Sequence, residues 1–269
     1  MKKRMLLGGL VSLFALAVIA GSASAQSSSS VSMRASSVNG VVDVCIGGFV
    51  FETGSRVGLE FIQDGAADCF GPDAAVERLV LLDAADAVIR ETNYDLPAAF
   101  DSWLGRIELI DPAGRPLSPG TYRAVIHSTV GVFTAEIEVA DTSHIQRLGS
   151  YSATATVCGL TLRVYRLMSE EDTDARITLR IGDRLMIALE GNPTTGYEWM
   201  NTLLYEFETL REIREVEFRP DSTLLGAGGL FLFRYEAVAE GPQAFRLVYA
   251  RPWESVQPAN VLEFSANVY

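Results

Sequence analysis

Three segments of this chain combine residue types and spacings suited to chemistry: Asn192-Pro193-Thr194-Thr195-Gly196-Tyr197, Gly226-Ala227-Gly228-Gly229 and Arg251-Pro252-Trp253. The chemistry they suggest is recognition rather than bond breaking. Pro193 fixes its own φ and biases Asn192 toward extended geometry, and Gly196 can take dihedrals closed to other residues, so the first segment reads as a short, stiff loop. Thr194 and Thr195 place hydroxyls and backbone groups at its tip, and a preorganised tip loses less entropy on entering a cleft. Asn192 is suited to bonding inward as an Asx turn. Gly226, Gly228 and Gly229 leave the main chain nearly bare, open to close approach by a partner. Arg251 and Trp253 are types favoured as interface anchors. Each segment taken alone also reads as an ordinary turn. Arg251 in particular could stack on an aromatic ring of its own chain or pair with Glu254.

Catalytic readings are poorly supplied. The chain has only two histidines, His127 and His144, and both fall far in sequence from the three segments, which leaves a serine or cysteine triad few bases. No Cys-x-x-Cys spacing exists for a metal. The glycine segment is followed by strand-like Leu230 to Tyr235 and lacks the lysine and hydroxyl of a nucleotide loop. The expectation is a protein that is not an enzyme, with no cofactor and no metal.

The elements that must position the three segments are strands. Ile177, Leu179 and Ile181 share one parity, as do Leu185, Ile187 and Leu189 after the turn at Gly182-Asp183. Phe231, Phe233 and Tyr235 repeat the pattern, then Phe245, Leu247 and Tyr249, then Leu262 and Phe264. A two-layer antiparallel sandwich buries such faces. Tyr197 and Trp199 also share a parity, with Trp199 expected in the core and Tyr197 nearer the tip.

The first half is punctuated by Pro112, Gly114, Pro116, Pro119 and Gly120 and contains strand-like Val57–Phe61, Tyr122–Ile126 and Phe133–Val139. The last two flank a turn and read as a hairpin. Asp73 to Glu91 is open between helix and buried strand, with strand preferred, because its composition suits a helix while its apolar run lacks clean alternation. The fold class expected is all-β, with two β-sandwich domains.

Lys2, Lys3 and Arg4, an apolar run from Met5 to about Ala20, and Ala23-Ser24-Ala25 make residues 1–25 a secretory signal peptide. A polar N-terminal spacer over 26–37, a β-sandwich domain over 38–145, a connecting segment over 146–171 and a second domain over 172–269 complete the division. The strand-like Ala155 to Val157 and Leu160 to Leu167 of the connecting segment are open between membership of either domain and a short β ribbon between them. Removing the leader's three cations takes the formal charge from −12 to −15, which disfavours nucleic acid and anionic lipid. No stable membrane insertion is expected after cleavage, and the destination is the periplasm or the medium. Of the three cysteines, Cys45 and Cys69 are the expected disulfide pair in an oxidising compartment, leaving Cys158 odd.

Taken together and in order, Asn192 to Tyr197 followed by Trp199, then Gly226, Gly228 and Gly229, then Arg251, Pro252 and Trp253 resemble the motifs of the chagasin family. The resemblance covers 172–269 and leaves the first domain unrecognised. It implies an immunoglobulin-like sandwich for the second domain, with the three loops gathered at one end. It further implies reversible, noncovalent inhibition of a papain-like cysteine peptidase, with Thr194 and Thr195 entering the cleft and the other loops gripping its sides. The competing function is an envelope or secreted scaffold whose loops bind a protein or glycan without inhibiting anything. Because all three motifs lie in 172–269, that fragment alone is expected to fold and inhibit.

Overall fold

The computed structural model describes residues 33–38, 41–63, 70–71, 73–151, 155–157, 159–202 and 209–269. The expected signal peptide, Cys69 and Cys158 lie outside the described residues. Cys45 carries a free thiol, pushed up by burial and then by the charge of Glu136. Among the described residues no helix is long and apolar enough to cross a membrane.

The chain is all-β. In order its strands are β1 (Met33–Val38), β2 (Val41–Glu52), β3 (Arg56–Gln63), β4 (Ala75–Leu82), β5 (Val88–Ala99), β6 (Leu104–Glu108), β7 (Gly120–Ser128) and β8 (Gly131–Ala140). A single helical turn, α1 (Thr142–Ile145), precedes β9 (Ala155–Val157) and β10 (Leu160–Met168). There follow β11 (Arg176–Leu179), β12 (Arg184–Gly191), β13 (Glu198–Asn201), β14 (Leu210–Pro220), β15 (Gly229–Ala237), β16 (Gly241–Ala250) and β17 (Asn260–Val268). Residues 33 to 37, grouped by their polarity with the spacer, lie in β1 and pair with β2 from Met33↔Ile46 to Val38↔Val41.

The hairpin expected around residue 130 is β7 and β8, paired antiparallel to Ser128↔Gly131. Asp73 to Glu91 contains β4 and the start of β5. β4 lies between β7 and β5, and Leu79, Val80 and Leu81 are all buried, so both of its faces are covered and alternation is lost. Asp83 then stops the strand, its Oδ1 accepting from Ala85 N and Ala87 N at 2.9 Å each.

Three sheets result: β1-β2-β8-β7-β4-β5, then β14-β15-β12-β10-β3-β6 with β9 on β10, then β11-β17-β16-β13. The middle sheet draws strands from both halves of the chain. β10, from the connecting segment, runs antiparallel to β3 on one side and parallel to β12 on the other.

The three largest apolar clusters among the described residues follow from the two-residue period, and a small fourth joins Val50, Ala140 and Ile145. Leu59, Phe61, Leu162 and Val164 of the middle sheet meet Ile46, Phe133 and Ile137 of the first sheet. Leu185, Ile187, Leu189, Phe231 and Phe233 meet Trp199, Phe245, Leu247, Leu262 and Phe264 of the third sheet, all at the parities expected from sequence. Tyr165, Met186, Ala188, Leu230 and Leu232 point to the opposite face of the middle sheet. That face is buried, and Leu104 of β6 and Ile213 of β14, from the two ends of the strand order, pack on the same cluster.

Candidate functional site: three linked loops

The first loop joins β12 to β13 as a 3-10 turn, Pro193–Thr195. Asn192 builds it. Its Oδ1 accepts from Thr194 N (3.0 Å) and Thr194 Oγ1 (2.6 Å), and its main-chain O accepts from Thr195 Oγ1 (2.6 Å). The expected Asx-type bond is therefore present. Both threonine hydroxyl protons are spent inward, Pro193 has no N–H, and the exposed tip offers acceptor lone pairs and methyl groups. Gly196 closes the turn at φ 81°, a left-handed conformation costly to a residue with a Cβ.

Side chains then tie this loop to the other two. Asn192 Nδ2 donates to Gly226 O at 2.8 Å, and Arg251 Nε donates to Thr195 O at 3.1 Å. Arg251 also lies 4.6 Å over the Tyr197 ring and donates to Glu254 Oε1 at 2.9 Å. That hydrogen bond, with Glu254's charge, raises the guanidinium's pKa further. The cation is thus a brace between loops, as the stacking reading of Arg251 has it. Trp253 is 68% exposed, with its ring edge seated on Gly196.

Beneath the loops, Trp199 is buried and its Nε1 donates to Glu190 O at 2.8 Å. Tyr249 is the hub. Its ring lies 5.2 Å from that of Tyr197 and 5.3 Å from that of Trp199, and its hydroxyl accepts from Asn192 N at 2.8 Å.

The glycine loop spans the β14–β15 connection, closed at its base by Asp221 N donating to Gly228 O at 2.9 Å. Its glycines differ in role. Gly226 has φ 81°, while Gly228 is free of close neighbours, a Cβ there meeting Gly191 O at an ordinary 3.5 Å. A Cβ on Gly229 would lie 2.1 Å from Arg219 O, so this glycine is demanded by strand packing.

Residues 178–268 match the family described as chagasin family peptidase inhibitor I42. Over 82 residues the chain is 39% identical to chagasin of Trypanosoma cruzi, which covers 29% of this chain and 74% of that protein. The chain belongs to the chagasin family. It is also 30% identical over 86 residues to amoebiasin-1 of Entamoeba histolytica, 32% of this chain and 82% of the relative. A solved structure of PbICP-C in complex with falcipain-2 is similar at 20% identity and a TM-score of 0.27, covering 39% of this chain and 91% of that one.

All three loops fall inside the segment shared with the chagasin family, and residues before 178 fall outside it. Sequence reasoning passed over two exposed residues of the glycine loop, Leu224 (76%) and Leu225 (105%). Their signal was present, two consecutive leucines in a segment with no strand period. It also passed over the Tyr249 hydroxyl, whose partner lies 57 positions away. His127 sits 2.9 Å from Arg78 and is held below the usual histidine range by burial and then by Arg78. His144 pairs with Glu138 at 3.0 Å. Neither enters the loop site. Among the described residues no group of three or more His, Cys, Asp or Glu could hold a metal ion.

Proposed function

We propose that this chain is a reversible, noncovalent inhibitor of papain-like cysteine peptidases whose three loops together occlude the active-site cleft. Membership of the chagasin family supports inhibition of a peptidase, and the name-giving relative is 39% identical across the segment that bears the loops. The observation that carries the mechanism is the pair of bonds from Asn192 to Gly226 O and from Arg251 to Thr195 O, which make one surface of three loops. A braced wedge of this kind enters a cleft with little loss of entropy. The tip has no nucleophile–base pair to react with the peptidase, and its tight turn opposes the extended pose of a substrate. An inhibitor interface of ordinary size buries about 800 Å² per partner, within reach of three clustered loops.

We further read the chain as two β-sandwiches sharing the middle sheet, the second immunoglobulin-like, exported to the periplasm or medium by residues 1–25. The deciding experiment is titration of a papain-like peptidase with the full chain, followed by intact mass measurement after long incubation. Reversible inhibition with an uncut Thr194–Gly196 segment is expected. Cleavage in the loop or a lasting adduct overturns the noncovalent wedge, and unchanged turnover favours the scaffold reading.

A further inference from the structure

The buried face of the middle sheet carries a charge cluster that joins the two halves of the chain. Glu60 of β3 is completely buried. Its Oε1 accepts from Arg234 Nε at 2.9 Å and from the Tyr165 hydroxyl at 2.5 Å, and its Oε2 from Arg234 Nη2 at 2.9 Å and Arg219 Nη2 at 3.2 Å. Glu217 closes the other side, accepting from Arg219 Nε at 2.8 Å and Arg234 Nη2 at 2.9 Å. Two carboxylates thus face the guanidinium groups of Arg219 and Arg234 directly.

Arg234, Glu217 and Tyr165 are each held in their ordinary protonation state. Burial opposes the Arg234 cation, but the hydrogen bond and charge of Glu60, followed by the charge of Glu217, outweigh it and raise the pKa. Burial also pushes Glu217 up, yet the Arg219 hydrogen bond and the charges of Arg219, Arg234 and Arg214 bring it below the usual carboxylate range. The Tyr165 hydroxyl is driven far above its normal range by burial and then by Glu60, so it keeps its proton and donates.

The placement of the two arginines matters most. Arg219 and Arg234 lie on β14 and β15, the strands that enter and leave the glycine loop. Pro220 pairs with Gly229 at the loop's base, and the Gly229 backbone is packed directly against Arg219 O. Fixing Arg219 therefore fixes the foot of residues 221–228. Glu217 alone cannot do this, because it sits two residues away on the same strand and moves with it. Glu60 and Trp103, whose main-chain O accepts from Arg219 Nη1 at 3.4 Å, belong to the half that carries none of the three loops.

We infer that Glu60 is a positioning residue for the glycine loop: through Arg219 and Arg234, the first half of the chain sets where that loop stands relative to the other two. The inference rests on the inhibitor reading for its functional consequence, but the positioning itself does not. It gives the first half a part in recognition without direct contact with a peptidase. Buried ion pairs are weak sources of net stability and better suited to selecting one geometry, which is the use assigned here.

The test uses the full chain with Arg219→Met, which keeps the aliphatic stem and leaves Glu60 paired to Arg234, beside Glu60→Gln and Arg219→Lys. Hydrogen exchange of peptides covering 221–229 reads loop position, and dissociation from a papain-like peptidase reads its consequence. Arg219→Met is expected to exchange about tenfold faster at the loop, with exchange in β16 and β17 unchanged. It should also leave the peptidase about tenfold faster at an unaltered association rate, with Arg219→Lys restoring most of both. Glu60→Gln should change in the same direction, and Arg219→Met carries the test if Glu60→Gln does not fold. Loop exchange in Arg219→Met equal to wild type overturns the inference while leaving wild-type inhibition intact. If wild type fails to inhibit but Arg219→Met still loosens the loop, the functional reading falls and the positioning stands.

Discussion

Trp253 sits on Gly196 so closely that a Cβ on the glycine would lie 2.6 Å from the ring's Cη2. The exposed aromatic of the third loop is thereby seated on the one left-handed residue of the first, at φ 81°. Gly196→Ala meets two costs: about 1–2 kcal/mol for the backbone conformation and displacement of the Trp253 ring. We expect inhibition to weaken at least tenfold, with the folded core otherwise intact. Melting and peptidase titration of the same preparation check this, and a variant with wild-type inhibition would separate the ring's position from binding.

The two loop-associated tryptophans should fail in opposite ways. Trp253, largely exposed, is expected to lose about 2 kcal/mol or more of binding on truncation to alanine while melting changes little. Trp199 is 5% exposed and hydrogen-bonded to Glu190 O, so its truncation should cost about 3–5 kcal/mol of stability. If Trp253→Ala melts the protein and its folded fraction inhibits normally, the third loop has been misassigned.

Adjacent glycines of the second loop separate packing from recognition. Gly229→Ala forces a methyl group against the Arg219 carbonyl, 2.1 Å away, and should destabilise by about 1–3 kcal/mol. Gly228→Ala meets nothing closer than 3.5 Å and should stay within about 0.5 kcal/mol of wild type. If bare backbone is what the peptidase approaches, Gly228→Ala will still weaken inhibition. Denaturant unfolding beside inhibition constants for both variants resolves the two roles.

A fragment of residues 172–269 contains every loop, and the motifs alone favour its independence. The structure changes the expected outcome. Cutting at 172 removes β10 from the edge of β12, removes Met168 from the second core, and uncovers Met186, Ala188, Leu230 and Leu232. Such an exposed apolar face is an association hazard. The fragment should melt below the full chain and self-associate as concentration rises, which calorimetry and sedimentation will show. A monomeric fragment with full-chain stability would mean that the buried face is not needed.

Much of this architecture was legible in local sequence. The parities of Leu185, Ile187 and Leu189, of Phe231 and Phe233, and of Leu262 and Phe264 assign their inward faces, because a strand repeats every two residues whatever it pairs with. Pro193, Gly196 and Asn192 specify a stiff turn through their own dihedrals and a bond spanning two residues. The strands within Asp73 to Glu91 were harder to read, because burial on both faces erases the period.

The sequence by itself thus determined the strand faces, the shape of the first loop and the family to which the second half belongs. Tertiary structure alone decided that β10 bridges two halves, that Arg251 braces Thr195 and Tyr197 rather than standing free, and that Glu60 meets Arg234 across 174 positions. The physical reason is range. Periodicity and turn chemistry are properties of neighbouring residues, whereas sheet order and charge pairing come from segments distant in sequence, and no local pattern records which strand will lie beside which.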